Sequence, residues 1–344
     1  MFQLFAQLLR ALNQGLFHTR IYNDDLESPK ARRAAIIHNP VARGLVRRGH
    51  LLQRTTTILA RHGIAAHLVA TTAPGTATVL AREQIGAGCD MIIAAGGDGT
   101  INEVANGMLH SGVPLAILPG GTANVLAREI GMPIQLEEAA QQISGFQACR
   151  ISAGAIGFAG TIATRCFLCM AGAGLDAEIV ARLNLNLKAA IGKFAYYAGG
   201  FSQVFRPLRE FEVLVDGVPY QASFALVSRV RNYGGDLEIA RGASLLKEDF
   251  EVVLFRGTMS VQYLPYLAAV ALKRAGRVKG IKFLRARSVS CRPFSGEPVG
   301  VQVDGEFAGK LPVTMELLPE AITLMVPQKY WTREQSRIAV PAFA

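Results

Sequence analysis

Positions 91–130 read MIIAAGGDGTINEVANGMLHSGVPLAILPGGTANVLAREI, and this stretch decides the fold. The apolar run Met91–Ala95 leads into Gly96-Gly97-Asp98-Gly99-Thr100, and a helical pattern follows over Ile101–Leu109. The plan then repeats. Leu115–Leu118 leads into Pro119-Gly120-Gly121-Thr122-Ala123-Asn124, with a helix expected over Ala123–Glu129. Each loop ends Gly-Thr-x-Asn. Glycines let backbone amides approach an anion closely, and the helix behind each loop adds unsatisfied N–H groups and a favourable dipole. Such strand-to-helix turns are also ordinary connectors, but two adjacent loops of one design favour phosphate binding. Asp98 at the apex of the first makes chemical sense beside a cation or in proton transfer. Neither loop closes with Lys-Ser/Thr, so neither is a Walker A motif.

Working outward, Ala34–Ile37 reads as a strand, 44–62 as a helix, Ala65–Ala70 as a strand and Thr76–Ile85 as a helix. This alternation predicts a parallel sheet covered by helices, with its binding site at the carboxyl ends of the strands. After Arg150 short strands dominate, at 161–171, 211–216, 221–230, 250–255, 287–292, 299–304, 312–317 and 321–326. Turn signals such as Asp216-Gly217 and Asp304-Gly305 separate them, which predicts an antiparallel β-sandwich. Helical insertions are expected near 176–205 and 261–276. The expected organisation is an amphipathic helix and linker over 1–28 and an α/β nucleotide-binding domain over 29–150. A β-sandwich over 151–327 and a tail over 328–344 complete it. The cleft between the two domains is the expected active site.

The first helix carries Phe2, Phe5, Leu8, Leu9, Leu12, Leu16 and Phe17 at helical spacing. It is expected to pack on the rest of the protein or on a partner subunit, as in a homodimer, with membrane contact as the other reading. The formal net charge of +10 favours anionic partners: phosphate ligands, nucleic acid or an acidic membrane surface. No helix-turn-helix, zinc finger or aromatic-studded basic sheet is legible, so nucleic acid is not expected. Lys273, Arg274, Arg277, Lys279, Lys282, Arg285 and Arg287 follow the apolar Tyr263–Leu272 with no acid among them. That run suits an anionic membrane surface, or equally a solvated face. There is no secretory signal and no apolar run of about 18 residues. Cys166 and Cys169 stand among apolar residues without a second pair to complete a zinc site. Buried free thiols in a reducing, cytoplasmic compartment are expected.

At these residues the sequence resembles the diacylglycerol-kinase catalytic family, in its bacterial branch with sphingosine-kinase relatives. The matches are His38-Asn39-Pro40, Gly96–Thr100 with Asn102-Glu103-Val104-Ala105-Asn106-Gly107, Pro119–Arg128, Gly172-Ala173-Gly174-Leu175-Asp176-Ala177 and Val303-Asp304-Gly305-Glu306. The first loop alone would fit NAD kinases too; the second favours lipid kinases. The resemblance implies an NAD-kinase-like α/β domain, a β-sandwich domain, and ATP with Mg²⁺ between them. It implies a lipid hydroxyl as acceptor, at a membrane surface. By analogy Asn39, Thr71, Gly96, Gly97, Asp98, Gly99, Thr100, Asn102, Glu103, Gly121 and Thr122 line the nucleotide site. Glu306 is the proton acceptor by analogy with the bacterial branch, and Asp98 by analogy with sphingosine kinases. A kinase for a soluble acceptor such as NAD and a non-catalytic binding relative remain the alternatives.

One element departs. Bacterial relatives carry Asp-Asp-Gly after Ala-x-Leu, tied to a structural Mg²⁺. Here Ala243-Ser244-Leu245 is followed by Leu246-Lys247-Glu248-Asp249-Phe250, so that metal site is not carried over. Either Lys247 pairs with Glu248, Asp249 or Asp236 in the ion's place, or it faces solvent.

Overall fold

The computed structural model describes residues 32–46, 49–161, 164–175, 177, 207–234, 237–263, 266, 280–294 and 298–339. The α/β half runs β1 (Arg32–His38), α1 (Arg43–Val46), α2 (Gly49–Arg61), β2 (Ile64–Ala70), α3 (Thr76–Gly86), β3 (Met91–Gly96), α4 (Asp98–Met108), β4 (Pro114–Pro119), α5 (Val125–Glu129) and α6 (Leu136–Gln142). Strands β2, β1, β3 and β4 pair in parallel in that order. All of Met91–Gly96 is buried, as a strand covered on both faces requires. The register sets His38 beside Ala95 and Gly96 beside Pro119, so the three strands end level. That common edge is where both glycine loops leave the sheet.

Two expectations for this half change. The helix expected from Ile101 begins at Asp98, so the first glycine loop is shorter than its sequence suggests and Gly99 lies inside the first turn. The helix expected over 44–62 is described as two pieces, α1 and α2.

The second half contains β5 (Gln147–Phe158), β6 (Thr164–Phe167), β7 (Met170–Gly174), β8 (Phe211–Val215), β9 (Val218–Ala222), β10 (Phe224–Ser228), β11 (Asn232–Tyr233) and β12 (Leu237–Glu238). It continues with β13 (Phe250–Phe255), β14 (Ile281–Ala286), β15 (Ser288–Pro293), β16 (Gly300–Val303), β17 (Glu306–Lys310), β18 (Val313–Val326) and α7 (Gln328–Ala339). The order β14-β13-β10-β7-β16-β17 makes one antiparallel sheet of the sandwich. The facing sheet is built from β5, β6, β8, β9, β15 and β18. Phe167, Phe211, Phe250, Val289 and Met315 fill the space between, with Phe167 stacked on Phe250 at 5.7 Å.

The two halves share strands. β18 pairs parallel with β4 through Thr323 and Leu324, and antiparallel with β5 from Val313–Phe158 to Val326–Gln147. The strands expected separately at 312–317 and 321–326 are therefore one. An irregularity between Leu318 and Ile322, with Glu320 at φ 46, lets it bend from one layer into the other. The run expected at 161–171 is split between β6 and β7 by a turn at Leu168-Cys169. The run at 221–230 likewise divides, between β9 and β10. The stretch expected as a tail contains α7, whose Tyr330 and Glu334 are buried. The N-terminal helix and most of the insertions near 176–205 and 261–276 lie outside the described residues. All five cysteines are buried free thiols. Among the described residues no helix is long and apolar enough to cross a membrane.

Candidate active site

Three turns meet back to back at the carboxyl edge of the sheet. Gly120 N–H donates to the Gly96 carbonyl (2.7 Å), Gly44 N–H to the Gly120 carbonyl (3.0 Å), and Asn39 N–H to the Ala95 carbonyl (3.2 Å). A Cβ at Gly121 would stand 2.6 Å from the Gly97 Cα, so this approach needs glycine. Asn39 closes its own turn, its Oδ1 accepting from Val41 N–H (3.0 Å), and Thr71 N–H donates to the His38 carbonyl (2.9 Å). Thr100 is half-buried against Gly96, whereas Thr122 is exposed on the rim. The Glu103 carbonyl accepts the Thr78 hydroxyl of α3 (2.8 Å).

Asp98 joins the two loops. Its Oδ1 accepts from Val125 N–H at the start of α5 (2.7 Å), so the first loop caps the helix of the second. Burial, reinforced by the charge of Asp304, pushes the Asp98 carboxyl up to about 6, against the N–H groups of Val125, Leu126 and Asn124. Such a carboxylate is poised to gain from a cation or to hold a proton.

The sandwich is stitched to α4 by side chains that sequence reasoning placed elsewhere or missed. Asn102, expected to line the nucleotide site, donates its amide to the Cys166 carbonyl (2.8 Å) and to Asp304 Oδ2 (2.7 Å). One turn on, Asn106 Oδ1 accepts from Cys166 N–H (2.8 Å). Asp304 is enclosed and left-handed (φ 48); it accepts from Leu168, Cys169 and Met170 N–H at 2.8–3.0 Å. The C-x-x-C stretch thus serves as the amide cradle of Asp304. Burial raises both thiols above their ordinary range, which fits buried thiols over metal chemistry. The signal available for Asn106 was its i, i+4 spacing from Asn102, which puts both amides on one helix face.

Glu306 begins β17, directly after this turn, and its carboxylate lies over the first turn of α4. A Cβ at Gly99 would collide with Glu306 Oε1, so the glycine makes room for the acid. Arg165 of β6 holds the other oxygen, Nη2 to Oε2 at 2.7 Å, and reaches Asn102 Oδ1 with its Nε (3.3 Å). Glu306 is 53% exposed at its side chain, whereas Asp98 is half-buried with its Oδ1 held by Val125 N–H, so Glu306 is the more open of the two candidate bases. Arg165 was missed; its signal was a lone charge inside the otherwise apolar and glycine-rich stretch 151–175.

Two family models cover this geometry: the diacylglycerol kinase catalytic domain matches residues 33–156, and the YegS C-terminal NAD kinase beta sandwich-like domain matches 169–326. A Bacillus subtilis (strain 168) protein named diacylglycerol kinase is 30% identical over 305 residues, 87% of this chain and 97% of that protein. The chain belongs to the diacylglycerol-kinase family. It is therefore a lipid-kinase enzyme with the two-domain fold of that family. The diacylglycerol kinase of Staphylococcus carnosus is 26% identical, over 86% of this chain and 96% of its own. A solved diacylglycerol kinase structure from Bacillus anthracis shares the fold, with a TM-score of 0.68 at 24% identity over 88% of this chain and 99% of that one.

Within this diacylglycerol-kinase fold the altered loop at 242–249 is held by cations of the chain. Arg229, fully buried, donates to the carbonyls of Leu245, Lys247 and Asp249, each at 2.7 Å. Burial lowers its pKa to about 10, and it remains charged. Lys247 does not pair with Glu248 or Asp249: its Nζ donates to the Gly242 carbonyl (3.0 Å), while Asp249 is held by Arg285 and Glu248 by Arg287. Asp236, the third acid considered, lies outside the described residues. A guanidinium facing the loop's carbonyls leaves no fit for a structural Mg²⁺ there.

Proposed function

We propose that this enzyme transfers the terminal phosphate of ATP to the hydroxyl of a diacylglycerol-like or sphingoid lipid. The observation that carries the reading is the Glu306 carboxylate over Gly99, where the sandwich meets the first glycine loop. In the transfer the lipid oxygen forms a bond to the terminal phosphorus, the bond to ADP breaks, and the hydroxyl proton passes to Glu306. The amides of Gly97 and Gly99, at the start of α4, are placed to meet the phosphates. Asp98, raised by burial beside Asp304, is the carboxylate that fits a Mg²⁺ carried in with ATP. Such an ion usually takes one or two protein carboxylates plus phosphate oxygens, and would supply charge neutralisation over the phosphates. Asp98 keeps a positioning role, tying the loops together.

An anionic membrane surface is the proposed place of work, on the basic residues from Lys273 to Arg287. Within the described part Arg285 and Arg287 are held by Asp249 and Glu248, so Lys282, lying over the Tyr220 ring at 4.8 Å, is the charge left for a headgroup. Sedimentation with vesicles should rise with anionic lipid and fall with salt, exposed charges being screened within about 10 Å at 0.1 M. Equal binding to neutral vesicles would remove the segment from this role.

Labelled ATP incubated with diacylglycerol, sphingosine and NAD in parallel tests the acceptor. Label in a lipid is expected; label in NAD alone would sink the lipid reading.

A further inference from the structure

We infer that Arg165 is a catalytic residue, paired with Glu306 and passed to the transferring phosphoryl group during the reaction. The inference rests on the kinase reading above. Glu306 Oε2 and Asn102 Oδ1 engage two N–H groups of the guanidinium, at 2.7 and 3.3 Å. A guanidinium has five such donors in a planar fork that matches phosphate oxygens. The Arg165 side chain is one-third exposed, so part of it is within reach of an incoming group. Asn102 sits in the second turn of α4 and Gly99, under the Glu306 carboxylate, in the first. The guanidinium therefore stands at the edge of the phosphate-facing loop, with its counter-charge supplied by the very acid that must accept a proton.

Charge balance drives the exchange. Asp98 lies within reach of the Asp304 charge and Glu306 lies over the neighbouring Gly99, and ATP brings further negative charge that a loose phosphoryl transition state spreads over its equatorial oxygens. When the lipid hydroxyl gives its proton to Glu306, the carboxylate becomes neutral and its hold on Arg165 weakens. At that moment the migrating oxygens are the strongest acceptors beside the guanidinium. Proton acceptance and phosphoryl stabilisation are coupled through one ion pair, which a lysine's point charge reproduces only in part.

The test uses the full chain with Mg-ATP and diacylglycerol micelles, measuring kcat and the KM for ATP separately. Arg165→Met should lower kcat by about 10²–10³-fold with KM within about threefold, the pattern of a contact made in the transition state. Arg165→Lys should recover at least about tenfold, a rescue that a merely structural tie would not give. In the Glu306→Gln background Arg165→Met should still cost about tenfold or more. No further loss there, or a kcat for Arg165→Met within about threefold of native, would overturn the proposal. If Arg165→Met fails to fold by thermal melt, Arg165→Lys carries the test, with a drop of about tenfold or more expected and none overturning. A native chain that releases ADP but labels no lipid would defeat the lipid reading alone, the same variants then being read by ADP release. A native chain inert toward ATP overturns both.

Discussion

Gly99-Thr100-Ile101-Asn102 and Gly121-Thr122-Ala123-Asn124 spell one pattern and build two different devices. In the first, the helix starts before the pattern, at Asp98, so its Asn lies in the second turn and turns its amide on the sandwich. In the second, the helix starts after the pattern. Asn124 is its left-handed cap residue at φ 49 and folds back on Gly121, accepting from its N–H (2.8 Å) and donating to its carbonyl (2.9 Å). The first loop is bolted to the β-sandwich by Asn102, Asn106, Asp304 and Arg165. The second is held mainly through the first, by Asp98 on Val125 N–H. Where a glycine pattern stands relative to the helix start decides what its polar residues can reach. The chemistry should therefore be concentrated on the first loop.

The largest expected effect tests that concentration. Glu306→Gln keeps shape and removes the proton acceptor, so turnover should fall by about 10²–10⁴ while ATP affinity barely moves. Loss of ATP binding with turnover preserved at saturation would make Glu306 a nucleotide ligand and leave the first loop without its base.

Asp98→Asn separates the cap from the charge, because an amide oxygen can still accept from Val125 N–H. Transfer should drop severely, and a rate within about threefold of native, under ~0.7 kcal/mol in barrier, would break the comparison. Stability should move the other way. The folded carboxyl is pushed up to about 6 by burial and by Asp304, against about 3.9 in an unfolded chain. Between those values the native state holds a proton the unfolded state has lost, so stability falls as pH rises and the cost is complete above about 6. Asp98→Asn should then gain roughly 3 kcal/mol at pH 8 and about half that at pH 5. Denaturation of both proteins at the two pH values measures it; a gain independent of pH would show that the charge is not the cause.

Asp304→Asn probes the bolt itself. Each Asp304 oxygen accepts two donors: Oδ1 from Cys169 and Met170 N–H, Oδ2 from Leu168 N–H and the Asn102 amide. An amide NH₂ in place of either oxygen would face donors. A loss of roughly 2–3 kcal/mol is expected from groups left unsatisfied in the interior. Urea midpoints for Asp304→Asn and for the second-loop change Thr122→Ala give the contrast, since Thr122 is exposed. Equal midpoints would mean that the two loops are anchored alike.

Much of this was legible because apolar runs bounded by glycine or proline mark β1 to β4, and because the Gly-Thr-x-Asn loops are short and local. Glu306 and both loops were legible through motif and resemblance together. Other parts were not. β5 reads QACRISAGAIGF, small and without alternation, and its strand character comes from pairing with β18 along its length. α7 looks like a polar tail, yet its Glu334 is buried against Arg231, Arg333 and Arg337, a network only the fold assembles. Arg165 and Asp304 act across long sequence separations, and no local pattern announces such partners.

The smallest expected effect lies in the loop at 242–249, where the sequence lacks the carboxylate pair that the family resemblance led one to expect, and it calibrates the others. Lys247 reaches the Gly242 carbonyl (3.0 Å), while Arg229 already satisfies the carbonyls of Leu245, Lys247 and Asp249. The ammonium is thus a second support, not the central cation. Burial first and the nearby Arg285 next lower its pKa, which marks a charge held at some cost. Lys247→Ala should cost about 1 kcal/mol, the scale of one hydrogen bond from a charged donor partly offset by relief of that burial. It should leave kcat unchanged, unlike Glu306→Gln or Asp98→Asn, because the loop makes none of the described contacts to the glycine loops. Activity of native and variant proteins should follow only the Mg²⁺ needed to form Mg-ATP. A second activation phase at higher metal would mean that Arg229 does not hold the loop alone. A kcat loss in Lys247→Ala as large as its stability loss implies would mean that activity here simply tracks folding, and the special status given to the first loop would fall with it.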